Sequence, residues 1–392
     1  MTMPASLPTV AIVGIHGYGA SHVVHALDLQ AQSRIRLVGL VDPLVGPVVR
    51  DGRTIELAEL PPIHADIETL LAAVHVDIVI IATPLHTHRA VAELALRAGA
   101  DVLLEKPPVT SLSDFDELTA LARQADARVQ VGFQSLGSRA LAALKDQIQG
   151  GALGEIQSIA AYGSWTRDRR YWTRASWAGR RTLNGRAVVD GVLTNPFAHA
   201  VMTSLSIAGW HAPDAIASAE LDLYRANDIE ADDTSSFRLT PSARGTFTFA
   251  GTISGAFTLA GPREDTPSIV VRGTEGSAQL DYITDRLTLD IGGTTVEQQY
   301  DREDLLENLL AHRLDGRALL APLESTGAFV RFVEEVASNP VRPIDPSEIQ
   351  WDGEELDAHP VLVGVNDTVR DAARTGRLFR EMPVRWAQQE TN

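Results

Sequence analysis

Short apolar runs near 9–14, 36–41, 77–82, 101–104 and 128–133 punctuate the first third of this chain. The first of them, Val10 to Ile15, is too short for anything but a buried strand. Segments with helical character lie between the runs, over 20–31, 66–74, 86–98 and 113–124. Strand and helix in strict alternation predict a parallel α/β sheet. The punctuation agrees: Gly99 ends the third helix, and Ser111 or Ser113 opens the fourth. One interval breaks the rhythm. Between Asp42 and Ile63 the chain reads Pro43-Leu44-Val45-Gly46-Pro47 and later Pro61-Pro62, which predicts a loop or one short turn.

The remainder has a different pattern. A helix near 138–149 leads into Gly150-Gly151-Ala152-Leu153-Gly154-Glu155-Ile156, a turn into a strand, and a second helix runs near 196–207. From about 215 to 299 come short strands separated by turn residues, an antiparallel sheet with one face free. Helices return at 303–313, 323–337 and 365–376. The expected organisation is α/β: an N-terminal parallel-sheet domain over 1–134, and a second α/β domain with a large, mostly antiparallel open sheet over 135–392. The last helices are candidates to pack back on the first domain.

Composition narrows the function. The 392 residues carry a formal charge of -17, which argues against nucleic acid and anionic membranes as partners. The absence of cysteine excludes disulfides, thiol catalysis and Cys-ligated zinc. The first residues lack the basic start and apolar stretch of a signal peptide, so a cytoplasmic location is expected. Of 34 basic residues only Lys106 and Lys145 are lysines, the rest being arginine. Lys can give up its proton when buried and Arg cannot, so a lysine kept under that bias points to proton transfer. Lys106 stands in Glu105-Lys106-Pro107-Pro108, directly after a strand.

Gly14-Ile15-His16-Gly17-Tyr18-Gly19 follows the first strand and opens the first helix. Glycines there permit a tight turn, and backbone N–H groups reach a pyrophosphate at the helix N-terminus. His16 stands where the second glycine is usual, with Gly17 beside it. Asp42, at the end of the second strand, is placed to accept ribose hydroxyls and repel a 2′-phosphate, which favours NAD over NADP. Thr83-Pro84-Leu85-His86-Thr87-His88 sits at another strand end, where ligands bind in open sheets. His86 and His88, at i and i+2 without a carboxylate nearby, make a poor metal pair. They are expected to cap the following helix and to touch the cofactor, and no metal is expected.

Together these stretches resemble the Gfo/Idh/MocA oxidoreductases, the relatives of glucose–fructose oxidoreductase and inositol dehydrogenase. The resemblance rests on 14–19 with His22 beyond, Thr83-Pro84-x-x-x-His88, 99–107 with its Glu105-Lys106-Pro107, Val131-Gly132-Phe133, Gly151-x-Leu153-Gly154-Glu155-Ile156 and Gly273-Thr274-Glu275-Gly276. It implies a Rossmann domain, a sheet that mediates a homodimer or homotetramer, and a lysine near the nicotinamide and the reacting hydroxyl. It also implies an Asp-x-x-x-His pair on a helix, which aligns with Asn195 and His199. The first of these cannot ionise, and Asp190 falls outside the spacing. Where relatives often carry a basic pair after Gly132-Phe133, this chain has Gln134-Ser135-Leu136, a region that faces substrate.

The stretch from Trp165 to Arg181 holds three of the six tryptophans and six arginines. Aromatic faces stack on sugar C–H faces and Arg binds hydroxyls or carboxylates, so Trp165, Arg167, Tyr171, Trp172, Arg174 and Trp177 are candidate substrate contacts. The expected reaction is hydride transfer between NAD and a secondary alcohol of a sugar or polyol. Lys106 or His199 moves the hydroxyl proton, Asn195 orients, and Glu105 holds Lys106. Two alternatives stay open: an NAD-using glycosidase or lyase with no net redox change, and a sugar- or nucleotide-sensing regulator.

Overall fold

The computed structural model describes residues 7–243 and 249–388. Residues 1–6 and 389–392, at the outer ends of the two expected domains, and 244–248, within the expected antiparallel region, lie outside the described residues. The chain divides into two compact units. The first comprises the residues up to Val109, Ser113–Gly132 and Leu305–Leu323; the second comprises Thr110–Leu112, Phe133–Asp304 and the residues from Glu324 on.

In the first unit, strands β1 (Thr9–Val13), β2 (Arg36–Val41), β5 (Ile63–His64), β6 (Ile78–Ile81), β7 (Asp101–Leu104) and β8 (Val129–Val131) form one parallel sheet. Its order is β5-β2-β1-β6-β7-β8. β1, β6 and β7 are buried at every residue, which is why they read as unbroken apolar runs. Helices α1 (Gly19–Ala31), α2 (Ile67–Ala73), α3 (His88–Arg97) and α4 (Leu112–Gln124) connect them. The strand order reverses between β1 and β6, and it is at such a switch point that the carboxyl ends of strands leave a ligand crevice.

The stretch after Asp42 corrects the expected loop. It forms a hairpin of β3 (Val48–Arg50) and β4 (Arg53–Ile55), then a 3-10 turn at Leu57–Glu59. Asp51 and Gly52 both take positive φ, 48° and 78°, the conformation of a two-residue hairpin turn. Helix α8 (Leu305–Asp315) belongs to this unit, where Arg313 pairs with Asp101 and, at 2.8 Å, with Asp77.

The second unit is built on a nine-stranded sheet. Its strands include β9 (Ile156–Thr166), β12 (Ile216–Arg225), β13 (Thr234–Pro241), β14 (Ile253–Thr258), β15 (Ala260–Gly273), β16 (Gly276–Asp281), β17 (Arg286–Ile291), β18 (Thr294–Gln299) and β19 (Arg342–Pro343), and a two-residue ribbon, β10 (Thr182–Leu183) and β11 (Arg186–Ala187), stands apart. The pairs are antiparallel except β9–β14 and β12–β19. Helices α5 (Arg139–Gln149), α6 (Arg169–Trp172), α7 (Ala198–Ala208), α9 (Gly327–Ser338) and α10 (Val365–Thr375) complete the unit. α7 is buried at every residue but His199.

Candidate active site

The turn after β1 is held by backbone packing. A Cβ on Gly19 would lie 2.0 Å from the Gly14 carbonyl oxygen, and one on Gly14 would lie 2.6 Å from that of Ala82. These two positions therefore need glycine for close approach. Gly17 meets nothing within 4 Å but has φ of 59°, so it needs glycine for its conformation. The His16 ring donates to the Leu44 carbonyl at 3.1 Å. Asp42 is buried, and its two carboxylate oxygens accept from the N–H groups of Ile15 and Leu44, each at 2.9 Å. The carboxylate thus ties the glycine turn to the end of β2 and keeps lone pairs for ribose hydroxyls. Among the described residues the N–H groups of His16 and Gly17 meet no acceptor, so the turn fits a pyrophosphate.

A second turn forms where β7 ends. The Glu105 carboxylate accepts from the His22 ring at 2.9 Å and from the Lys106 N–H at 3.3 Å. It lies against Gly132: a Cβ there would come within 2.7–2.8 Å of the carboxylate atoms. Position 132 is thus glycine because Glu105 occupies the space a side chain would need. Lys106 itself is half-buried.

His88 has a different job from the one expected. It is the first residue of α3, the preceding Thr87 makes no side-chain cap, and His88 is buried. Its Nδ1 faces the Pro107 carbonyl at 2.9 Å and its Nε2 faces that of Thr83 at 2.8 Å. The ring therefore clamps the Lys106-Pro107 turn to the end of β6 and does not cap a helix. Burial holds its pKa below the ordinary histidine value, against the carbonyls and Glu105, which pull upward. Thr83, Pro84 and His86 lie in the segment between, with Pro84 leading the 3-10 turn Leu85–Thr87.

In the second unit, Asn195 and His199 diverge. Asn195 lies in the turn before α7, not on the helix, and its amide donates to Asp190 at 2.5 Å. His199, on the first turn of α7, has Nδ1 3.5 Å from the Ser135 hydroxyl and stands edge-on to Phe133. Asp190, set aside on spacing, is central here. Its buried carboxylate also accepts from the Gly179 N–H at 2.8 Å and from Arg174 at 3.1 Å. A non-ionising Asn therefore carries an ionisable partner five residues earlier in sequence.

The aromatic and arginine residues form a ladder. Arg167 lies 4.9 Å over Trp165 and 5.0 Å over Tyr171; Arg174 lies 3.7 Å over Tyr171 and 4.6 Å over Trp177. Burial raises the Tyr171 pKa, opposed by the Arg174 charge. Trp172 meets Tyr171 edge-on and packs over Gly179. Gln134 opens the 3-10 turn Gln134–Gly137 that carries Ser135. From the sequence Asp190 was set aside on spacing, Ser135 was covered only as part of the 134–136 stretch expected to face substrate, and Gly132, a glycine directly after a strand, was given no role of its own.

A profile of the oxidoreductase family with an NAD-binding Rossmann fold matches residues 9–133. An oxidoreductase of Synechocystis is 28% identical over 59% of this chain and 62% of its own length. An inositol 2-dehydrogenase of Saccharopolyspora erythraea is 30% identical over 37% of this chain and 42% of its own. The chain thus spans less than two thirds of the length of these curated relatives. Among solved structures, a WlbA dehydrogenase from Chromobacterium violaceum, in complex with NADH and UDP-GlcNAcA, superposes with a TM-score of 0.66 at 20% identity, covering 86% of this chain and 95% of that one. An oxidoreductase from Agrobacterium radiobacter, in complex with NAD+, L-tartaric acid and magnesium, gives 0.67 at 17% identity, covering 86% and 97%. These likenesses establish the two-part fold. Residues 9–133, with their glycine turn, Asp42 and Glu105-Lys106-Pro107, match the Gfo/Idh/MocA oxidoreductase family over its NAD-binding Rossmann fold.

Proposed function

We propose that this protein is an NAD-dependent dehydrogenase that moves a hydride between the cofactor and a secondary alcohol of a sugar, polyol or related compound. The observation that carries the reading is the Lys106 turn: the chain's rare lysine follows a strand end, its N–H bonded to Glu105, and Glu105 in turn held by His22. NAD, once bound, accepts or returns the hydride. Lys106 takes the hydroxyl proton in oxidation and returns it in reduction, with His199 as a second proton carrier. Asn195 orients by hydrogen bonding, its own position set by Asp190. The ladder of Trp165, Arg167, Tyr171, Arg174 and Trp177 supplies aromatic faces and guanidinium groups suited to a polyhydroxylated ring. Asp42 favours NAD, since a 2′-phosphate would meet its carboxylate.

Calorimetric binding of NAD(H) and NADP(H), followed by a polyol screen for NADH formation, tests the reading. Preferential NAD(H) binding with NADH accumulating on one substrate supports it. Cofactor that never exchanges, with turnover but no free NADH, would replace it by an internal-redox lyase or glycosidase.

A further inference from the structure

Helix α7 presents two polar side chains to the segment that follows β8 in sequence. His199 and Thr203 are four residues apart and share one face of the helix. Opposite them stands Ser135, in the 3-10 turn Gln134–Gly137. Backbone contacts fix that turn. The Glu303 N–H donates to the Gly137 carbonyl at 2.9 Å, and a Cβ on Gly137 would run into the Glu303 carbonyl oxygen. Phe133 holds the His199 ring edge-on, with centroids 5.9 Å apart, and is itself packed against Phe329 at 4.9 Å.

The two hydroxyl groups form a directed chain. Thr203 Oγ1 donates to Ser135 Oγ at 2.9 Å, and Ser135 Oγ lies 3.5 Å from His199 Nδ1. The second contact is long, as contacts at reacting groups often are before substrate tightens them. Ser135 and Thr203 are 1% and 0% exposed, so bulk water serves neither hydroxyl. Each hydroxyl has a single proton to give. Thr203 spends its proton on Ser135, so Ser135 must place its own elsewhere. Among the described residues the Ser135 hydroxyl meets no acceptor but His199 Nδ1. Buried donors are ordinarily matched, so Nδ1 accepts. A neutral imidazole that accepts at one nitrogen carries its proton on the other. Turning the ring over would set a C–H against the Ser135 hydroxyl and leave that donor unmatched.

We propose that Ser135 and Thr203 are positioning residues that hold His199 as a hydrogen-bond donor, with the ring proton on Nε2, and so leave proton removal to Lys106. The substrate oxygen enters through the dehydrogenase reading, on which this assignment rests; what is added is a division of work between the two proton-bearing groups. In oxidation the hydroxyl proton passes to the Lys106 amine, the hydride leaves carbon for NAD, and the new carbonyl oxygen keeps the His199 Nε2–H as its donor. In reduction the same N–H polarises the carbonyl, and Lys106 returns the proton. A base at His199 would need an open Nε2, which the Ser135 hydroxyl denies it by occupying Nδ1.

The test is nitrogen-15 NMR of the full chain labelled at histidine, in which two-bond proton–nitrogen couplings tell the tautomers of a ring apart. The signals lost in His199→Gln identify this ring among the 11 histidines. Wild type should hold the Nε2–H form at least about tenfold over Nδ1–H, the order of one hydrogen bond. Ser135→Ala should move that ratio about fivefold or more toward Nδ1–H. Thr203→Val should move it the same way by less, and Thr203→Ser, which keeps the hydroxyl, should leave it in place. Those two decide the matter if Ser135→Ala fails to fold. An Nδ1–H ring in wild type, or a ratio unmoved by loss of either hydroxyl, overturns the proposal. On the substrate found in the polyol screen, Ser135→Ala should lower kcat about tenfold with NAD affinity unchanged; a wild-type kcat overturns the role in turnover. The tautomer ratio is read without substrate, so a polyol screen that yields no product counts against the dehydrogenase reading while the spectra still decide the Ser135–His199 pairing.

Discussion

A buried carboxylate gives the sharpest prediction at the scale of single residues. Asp232 is fully buried, its Oδ1 has no partner, and burial pushes its pKa up to about 6, against the Ser235 hydroxyl that donates to Oδ2. In the unfolded chain the group titrates near the ordinary aspartate value of 3.8. Between those values the folded protein keeps a proton that the unfolded chain has released. The folded state is therefore favoured most below about pH 4 and loses that advantage as pH rises through about 6, by roughly 3 kcal/mol. Asp232→Asn has no such proton. Its melting temperature, relative to wild type, should rise by several degrees between pH 4 and 7; a constant difference would show that Asp232 titrates normally. The placement of Lys106 and Asp42 beyond strand ends was legible in the sequence, because each follows an apolar run. Asp190 was not, because its partners Asn195, Gly179 and Arg174 lie 5, 11 and 16 positions away in irregular turns that no helical or strand period predicts. The burial of His88 was equally hidden, since the carbonyl it clamps at Pro107 lies 19 positions along the chain.

At the scale of elements, turns decide the geometry. Gly19→Ala would drive a Cβ into the Gly14 carbonyl, a backbone atom that cannot step aside. NAD affinity should fall by at least about a hundredfold, an order expected for a broken dinucleotide turn; calorimetry showing wild-type affinity would refute the packing argument. Gly132→Ala meets only the Glu105 carboxylate, a side chain that can swing away. That variant should bind NAD normally and lose turnover, because Glu105 leaves His22 and the Lys106 N–H. Equal losses in affinity and turnover would make Gly132 a general packing position instead. Strand alternation and caps were readable because each apolar run lies between helical segments. The hairpin after Asp42 was misread: prolines at 43, 47, 61 and 62 mask the Asp51-Gly52 turn and the short strands around it. Three-residue strands carry too little periodicity to stand out.

The whole molecule joins a nucleotide-binding unit to a unit built on an open sheet, with α8 returning to the first before the last strand, β19, joins that sheet. The edge strand β18 is exposed at every residue. Edge strands of this kind invite pairing with another chain, and the resemblance to sheet-mediated oligomers agrees. Light scattering should give a mass that is two or four times 42.3 kDa; a monomer at micromolar concentration would count against that assembly. Among the described residues no helix is long and apolar enough to cross a membrane. For Lys106 the deciding comparison is NADH formation by wild type and by Lys106→Met on the substrate found in the polyol screen, with NAD affinity measured on both. NAD affinity should be unchanged and turnover lower by about 10²–10⁴-fold, the contribution of a positioned proton-transfer group. A variant that binds NAD and turns over at the wild-type rate would contradict it.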